Sequence, residues 1–302
     1  MQWLDSEGRK PEDEYDWDDV IGDYLRAPAQ KKMTRSQTET LVAGVERILP
    51  RLKGKLTYTK ALLKDWEKWA PSTHHLPIPW VVSLAIGQQL SLLGYPRLGA
   101  LHILQAETGL RPGELLQLFR EDLVPAWMST ARPAVCTIAL GTRTSTKRRR
   151  QQFVIIRTDE QPVAALIVAA LYATTSPGTR LSSIRSLSQY NDLLKRAMGI
   201  LSILHLGLTA HGARAGWATR MRLRGLPFEE LRERGRWESA RSLRIYLDVV
   251  GANDLAPSVT HLQSMGRWIE EDFANRFHWW RGVPPNILAH MASNGRDLGP
   301  NI

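Results

Sequence analysis

The chain has 302 residues and a formal net charge of +10, with 43% hydrophobic and 23% charged residues. That length can bury the core of one large or two modest domains, and the composition is typical of a globular protein rather than a disordered one. The single cysteine, Cys136, excludes a disulfide within the chain and a cysteine-based metal site. Because it lies in an apolar run, we expect a buried thiol.

The charge is distributed unevenly along the chain. Residues 1–25 hold nine acidic and two basic residues, a net of −7, so residues 26–302 carry +17. Such a body suits a polyanionic partner, since each neutralised phosphate of a nucleic acid releases counterions, and acidic membranes and ribosomal RNA attract such surfaces equally well. No signal peptide is evident, and the longest apolar run, Val163 to Ala173, is too short to span a bilayer. We expect an intracellular protein, nuclear in a eukaryote and cytoplasmic in a bacterium or phage.

The predicted elements are mainly helical. Residues 1–32 are acidic and lack apolar periodicity, which indicates a mobile tail, and three prolines mark residues 71–79 as a linker. Val135–Leu140 and Phe153–Arg157 are rich in β-formers and flank a basic turn, which predicts a β-hairpin. Helical periodicity covers Thr34–Leu49, Tyr58–Trp69, Trp80–Leu93, Pro96–Glu107, Gly113–Phe119, Pro162–Ala173, Ser186–Leu204, Ala210–Arg224, Pro227–Arg234 and Ser239–Val249. The fold class is mainly α with a small β-hairpin or sheet (α+β).

Two motifs supply arginines at helix starts. Arg111, in TGLRPGEL, follows a glycine break, and its guanidinium offers five donors in a planar fork that suits phosphate oxygens. His211 and Arg214, in HGAR, share one helical face at i, i+3 spacing, so they can present a proton-transfer group and a cation to one atom. The alternatives are an arginine that bonds helix-end carbonyls, and a surface histidine beside a solvated arginine.

Two further motifs supply aromatic residues. The indole N–H of Trp237, in GRW, can donate to a phosphate oxygen without titrating. The phenol oxygen of Tyr246, in RIYLD, can form a covalent intermediate. Taken singly, each motif also fits core packing, with Trp237 in the interior and the Tyr246 ring buried by an amphipathic helix.

Together and in this order, the four motifs resemble the signature of the tyrosine recombinase (phage integrase) family, over residues 77–250. The resemblance implies the DNA breaking-rejoining fold, with a catalytic domain at 77–256. Residues 33–76 resemble part of a helical core-binding region with its linker, and 257–302 a tail with a possible docking helix. Only two predicted helices precede the linker, so the DNA clamp is expected to be incomplete, as in a decayed mobile element or a mispredicted gene.

The resemblance also implies a role for each motif residue. Tyr246 is the nucleophile that forms a 3′-phosphotyrosyl link, and Arg111 and Arg214 stabilise the phosphate charge. Trp237 occupies the second-histidine position, which is tryptophan in Cre-like members. His211 assists proton transfer, for which its usual pKa near 6.5 is suitable. Glu114 is the supporting acid.

The predicted hairpin turn carries one departure from the family. The position of its catalytic lysine holds Arg143, and Lys147 stands four residues on. An arginine gives up its proton far less readily than a lysine, so we expect Lys147 rather than Arg143 to be the general acid. The basic run Arg148, Arg149 and Arg150 is predicted to contact the DNA backbone or minor groove, the alternative being a solvated charge run.

The resemblance implies site-specific recombination without a cofactor or metal, by a tetramer on paired DNA sites. Apolar residues at 265, 268, 269, 273 and 277 predict a helix whose apolar face docks onto a neighbouring subunit or packs on its own domain. Three rival functions remain. They are a non-catalytic DNA-binding protein that retains the fold, a type IB topoisomerase, and a basic helical scaffold with accidental motif matches.

Overall fold

The computed structural model describes residues 2–26, 34–69, 75–129, 134–141, 151–247 and 255–273. The chain divides into two compact units, residues 1–73 and 74–302. The described helices are α1 Gln2–Ser6, α2 Glu14–Arg26, α3 Arg35–Ile48, α4 Thr57–Trp69, α5 Trp80–Leu92, α6 Pro96–Thr108, α7 Pro112–Leu115, α8 Pro162–Thr174, α9 Leu187–Ile200, α10 Ala210–Leu223, α11 Phe228–Arg234, α12 Ala240–Tyr246 and α13 Thr260–Glu271. The strands are β1 Leu123–Val124, β2 Val135–Leu140 and β3 Gln152–Arg157. The mainly α architecture with a small sheet, predicted from the sequence, is confirmed.

The first unit departs from the sequence-based expectation. Its acidic segment contains α1 and α2, and Ile21 and Leu25 of α2 are buried in one cluster with Leu52 and Leu56. The predictions of a mobile tail and of only two helices before the linker are therefore wrong for the described residues. No helix in the described part of the chain is both long and apolar enough to cross a membrane.

One buried carboxylate explains why the acidic segment folds. Asp18 of α2 accepts hydrogen bonds from the backbone N–H groups of Tyr58 (2.7 Å) and Thr59 (2.8 Å) at the start of α4. Burial raises the pKa of Asp18, but these bonds outweigh it and hold the pKa below its ordinary value. Asp18 thus supplies hydrogen-bond partners that the first turn of α4 lacks, and ties α2 to α4.

The second unit is built around α5 and α6. Both helices are buried on most sides, and residues such as Leu84, Ile86 and Leu101 are fully buried. α10 crosses this core with two glycines one turn apart. A Cβ at Gly212 would lie 2.7 Å from the carbonyl oxygen of Leu76, and one at Gly216 would overlap the carbonyl oxygen of Ile78. The segment before α5 therefore packs directly on the α10 backbone.

We expect Gly216→Ala to destabilise the protein by about 1–3 kcal/mol, because the methyl group overpacks against backbone that cannot rotate away. Gly199→Ala in α9 is the matched control, since a Cβ there meets nothing within 4 Å. Its effect should be neutral or slightly stabilising, as is usual for alanine in place of helical glycine. Equal urea-unfolding midpoints for the two variants would contradict the packing.

The sheet is antiparallel in the order β1-β2-β3, with Cys136 opposite Ile156 and Leu140 opposite Gln152. Cys136 is 1% exposed, which confirms the expected buried thiol, and burial raises its pKa to about 12. On the other face of β3, Phe153 and Ile155 are exposed. The predicted hairpin is confirmed, but residues 142–150 of its turn, which include Arg143, Lys147, Arg148, Arg149 and Arg150, lie outside the described residues.

α13 packs against α5 within the second unit. Gly266 lies against Val81, Ile269 is fully buried, and Glu270 accepts a hydrogen bond from the Trp80 indole N–H (2.7 Å). For residues 260–271, the alternative of packing on the same domain is therefore the observed one. Residue 277 lies outside the described residues.

A buried hydrogen-bonded triad crosses the core of the second unit. The Tyr190 hydroxyl donates to Gln105 Oε1 (3.1 Å), and His102 Nδ1 lies 2.7 Å from the Tyr190 oxygen. The hydroxyl has one proton to give, so His102 Nδ1 is the protonated ring nitrogen. Burial lowers the pKa of His102 to about 3, so the ring is neutral at ordinary pH.

His102 should therefore make the protein sensitive to acid. Below pH 6.5 the unfolded chain binds a proton at this histidine and the folded chain does not, so unfolding becomes easier as the pH falls toward 3. Between pH 6 and 5 we expect the unfolding free energy of wild type to fall by about 1 kcal/mol more than that of His102→Gln. Urea titrations at both pH values measure this. Parallel pH dependence of the two proteins would contradict a neutral buried His102.

Candidate active site

The first motif is positioned by the end of α6. Gly109 follows the helix at φ +66°, in the left-handed region that favours glycine, and a Cβ there would overlap the Trp217 ring. The chain then reaches Arg111, and Pro112 opens α7 at its first position. α7 ends at Leu115 rather than at Phe119 as predicted. Beyond it the Leu118 carbonyl accepts a bond from Leu181 N–H and the Arg120 N–H donates to the Thr179 carbonyl, so this stretch is paired outside the helix.

Glu114 joins two guanidinium groups. Its Oε1 accepts from Arg111 Nη1 (2.5 Å), and its Oε2 accepts from Arg236 Nη2 (2.9 Å) and from the Arg111 backbone N–H (2.9 Å). Arg111 Nη2 also donates to the carbonyl of Arg236 (3.1 Å). Burial raises the pKa of Glu114, but the charges of Arg236 and Arg111 outweigh it and hold the pKa below its ordinary value. Glu114 therefore fixes the position of Arg111.

Arg214 is the most deeply buried cation of the site. It is 1% exposed, and it donates to the carbonyls of Gly109 and, at 2.6 Å, Gly235. Its guanidinium carbon lies 4.0 Å from the centre of the Trp237 ring. Burial, together with the charges of Arg236 and Arg111, lowers its pKa to about 9. Arg214 thus connects the first motif to the third, and the alternative of a solvated arginine is wrong.

Three aromatic rings pack in succession near Arg214, those of Trp217, Trp237 and Tyr246. Trp237 is stacked on Trp217, with ring centres 6.0 Å apart, and the Tyr246 ring is tilted against Trp237 at 5.4 Å. The carbonyl of Tyr246 accepts a bond from the Thr219 hydroxyl (3.2 Å), which attaches the end of α12 to α10. Trp237 is 4% exposed, so core packing describes much of its environment. Tyr246 is half-buried and lies 5.8 Å from the Arg214 guanidinium carbon.

His211 stands in the first turn of α10 and is covered by His75. The two imidazole rings are stacked, with centres 4.8 Å apart, and the Thr209 hydroxyl lies 2.9 Å from His75 Nδ1. Burial, together with the charges of His75, Arg214 and Arg111, lowers the pKa of His211 to about 4. The expectation of an ordinary pKa near 6.5 is therefore wrong for this arrangement, and His211 is neutral at pH 7.

A cleft of about 600 Å³ opens beside this cluster. It is lined by residues 151–153 at the start of β3 and by Arg232, Glu233, Arg236, Trp237 and Glu238. Arg236 and Trp237 belong both to the cleft and to the cluster.

The structure brings together five of the predicted residues: Arg111, Glu114, Arg214, Trp237 and Tyr246. His211 lies within electrostatic reach of Arg111 and Arg214. Sequence reasoning missed Arg236, which is 6% exposed and adopts φ +60°, and His75, which the sequence places in a linker. The only available signal for Arg236 was its place between Gly235 and Trp237 in the third motif.

No protein-family model matches the chain, and no curated protein matches it. Among solved structures, the chain is similar to XerH site-specific recombinase bound to difH substrate in a pre-cleavage complex (TM-score 0.48, 12% identity, 78% of this chain and 67% of that chain). It is similar to XerH bound to palindromic difH substrate in a post-cleavage complex (0.40, 16%, 62% and 52%), and to XerA recombinase (0.41, 16%, 85% and 95%). Likenesses this distant do not assign the chain to a family.

Proposed function

We propose that the chain is a tyrosine recombinase, a DNA strand transferase that cuts and rejoins DNA through Tyr246. The observation that carries this proposal is the convergence of motifs far apart in the chain. Arg214 contacts Trp237 and lies near Tyr246. Glu114 accepts hydrogen bonds from both Arg111 and Arg236, and Arg236 directly precedes Trp237. A nucleophile beside several fixed cations is what phosphoryl transfer requires, because such catalysis is mainly positioning and charge stabilisation.

In the proposed reaction, the Tyr246 oxygen attacks a phosphodiester, the bond from phosphorus to the 5′-oxygen breaks, and a 3′-phosphotyrosyl link forms. Arg111 and Arg214 stabilise the charge on the non-bridging oxygens. A guanidinium has five N–H donors, and Arg214 commits two of them to carbonyls, so it contacts phosphate through the others or by exchanging these bonds. The bond energy is conserved in the link, so no cofactor is needed.

His211 is proposed to accept the proton of the Tyr246 hydroxyl. It is neutral at pH 7, which is the form that can accept a proton. Its low pKa makes it a weak base in this structure, where Arg111 and Arg214 act on it. A bound phosphate offsets those charges, so we expect the pKa of His211 to rise when DNA binds.

The test of the proposed function is covalent capture. The protein is incubated with nicked duplex DNA, in which the fragment carrying the leaving 5′-hydroxyl diffuses away after cleavage. A band that survives denaturing electrophoresis and disappears on protease treatment supports the proposal. Tight DNA binding with no such band on any duplex would favour the non-catalytic DNA-binding alternative, which the near-complete burial of Arg214 supports. Relaxation of supercoiled plasmid without recombination of paired sites would favour a topoisomerase.

Lys147 is proposed as the general acid, in preference to Arg143. We expect Lys147→Ala to cleave ordinary DNA slowly, by about 10²-fold or more, since the departing oxygen then lacks its proton. A substrate with sulfur in place of the 5′-bridging oxygen should restore the rate, because a thiolate leaves without protonation. Arg143→Ala is the matched control and should not be rescued. Rescue of Arg143→Ala instead would reverse the assignment.

The basic run at 148–150 and the +17 carried by residues 26–302 are proposed to bind the DNA backbone. Assembly as a tetramer on paired sites belongs to the same proposal. Met265 and Trp268 of α13 are 42% and 46% exposed, so this helix retains apolar surface that α5 does not cover.

A further inference from the structure

Gln105 of α6 connects two of the motifs through their backbones. Its side-chain Nε2 donates to the carbonyl of Leu110 (3.1 Å) and to the carbonyl of Ala210 (3.0 Å). Leu110 directly precedes Arg111, and Ala210 directly precedes His211. One fully buried amide group therefore spans the two chain segments that carry these side chains.

The orientation of this amide is fixed by its neighbours. A primary amide has two N–H donors, and both are used on the two carbonyls. Its oxygen accepts the Tyr190 hydroxyl proton, and Tyr190 accepts from His102. If the amide were flipped, its oxygen would face two carbonyl oxygens, which a buried site does not tolerate. Each group in this chain therefore donates to the next: His102 to Tyr190, Tyr190 to Gln105, and Gln105 to the carbonyls of the two motif segments.

The segments that contain Leu110 and Ala210 also make hydrogen bonds to other residues. Each segment is therefore already ordered, and the Gln105 bridge sets the spacing between them. The Ala210 N–H donates to Asn191 Oδ1 (3.1 Å), and the Gly109 N–H donates to the Gln105 carbonyl (2.8 Å). Gly109 in turn accepts from Arg214. The Gln105 side chain contacts none of Arg111, His211 and Arg214 by a hydrogen bond of its own, and acts on them through the backbone.

We propose that Gln105 is a positioning residue that sets the distance between Arg111 and His211, with Tyr190 and His102 orienting its amide. The role rests on the proposed function, since it concerns the residues of that site. By helix geometry the Ala210 carbonyl also accepts the Arg214 N–H within α10, so it keeps one bond when the bridge is lost. The buried Leu110 carbonyl loses the Gln105 donor, and α6 loses this tie to the start of α10, so the two segments relax relative to each other. A displacement of about 1 Å in a catalytic group can cost about 10²-fold in rate.

The test compares Gln105→Met, which keeps a long unbranched side chain without donors, with Tyr190→Phe, which removes only the hydroxyl. Ile167→Val in α8 is the control for general core damage. Three quantities are measured: the single-turnover rate of adduct formation on nicked DNA, the DNA affinity, and the pKa of His211. The pKa comes from an NMR titration in which the His211 signal is identified by its loss in His211→Gln. The titration requires no activity, so it tests the positioning even if no adduct forms with any protein.

Gln105→Met should lower the rate by about 10²-fold while DNA affinity changes less than about threefold, and Tyr190→Phe should act in the same direction more weakly. In Gln105→Met the pKa of His211 should rise from about 4 toward that of an exposed histidine, because the loosened start of α10 admits water. In Ile167→Val it should stay unchanged. An unchanged His211 pKa in a folded Gln105→Met protein would overturn the proposal. A rate that falls only in proportion to lost stability, as in Ile167→Val, would also overturn it. Absence of adduct with wild type but a shifted His211 pKa would refute the proposed function and leave the positioning intact.

Discussion

Replacement of Tyr246 by phenylalanine is expected to abolish covalent attachment to nicked DNA, with a loss of at least about 10³-fold in adduct formation. The hydroxyl oxygen is the proposed nucleophile, and no other atom of the side chain can replace it. DNA binding should be nearly unchanged, because phenylalanine keeps the ring that packs against Trp237. Adduct yield on denaturing gels and affinity from a binding titration measure the two effects separately.

The matched control is Tyr172→Phe. Tyr172 lies in α8 of the same unit, where its ring packs against Trp127 and under Arg120. The change removes the same hydroxyl group from a tyrosine outside the cluster, so adduct formation should match wild type. Equal adduct yields from Tyr246→Phe and Tyr172→Phe would show that the nucleophile is a different residue.

Among conservative changes in the site, Glu114→Gln should lower the stability of the protein the most. The amide cannot balance the charges of Arg111 and Arg236, and its NH2 group faces a guanidinium donor. Leaving buried charges uncompensated costs about 3–5 kcal/mol, so we expect an unfolding free energy about 3 kcal/mol lower and loss of DNA cleavage. The control is Glu160→Gln, since Glu160 pairs with Arg157 and Arg234 at the surface and its loss should cost less than about 1 kcal/mol. Similar stabilities of the two variants would contradict the role of Glu114.

The same carboxylate gives the pH dependence a defined sign. The pKa of Glu114 is lower in the folded protein than in the unfolded chain, so its contribution to stability is present above the unfolded pKa of about 4.3 and is lost as the pH falls through the folded value. His102 and His211 act at higher pH, because their folded pKa values lie below that of an exposed histidine. The protein should therefore lose stability first to histidine protonation and then to protonation of Glu114.

The sequence predicted the cluster better than its supporting contacts. The four motifs with Arg111, Arg214, Trp237 and Tyr246 could be found because they occur together, in an order that resembles a known family signature. No one of them is decisive alone. Gln105 lies in the last turn of the buried helix α6, and nothing in its spacing indicates that its amide reaches both Leu110 and Ala210, which are far apart in the sequence. Contacts of that kind depend on tertiary packing, which periodicity does not encode.

The acidic first segment was misinterpreted for a different reason. The buried side of α2 is made of apolar residues that recur at helical spacing: Trp17, Val20, Ile21, Tyr24 and Leu25. The high density of acidic residues around them favoured disorder on composition alone. A local hydrophobic pattern outweighed net charge, because the acidic residues occupy the exposed side and Asp18 finds buried hydrogen-bond donors on α4.

The measurement that tests the central claim most directly is the mapping of the residue joined to DNA. Trypsin cleavage after Arg244 and Arg267 releases residues 245–267, a peptide that contains one tyrosine, Tyr246. After nuclease digestion of the wild-type adduct, mass spectrometry should find phosphate on Tyr246 of this peptide and nowhere else. A DNA-linked phosphate on any other residue, or an adduct that leaves this peptide unmodified, would contradict the account.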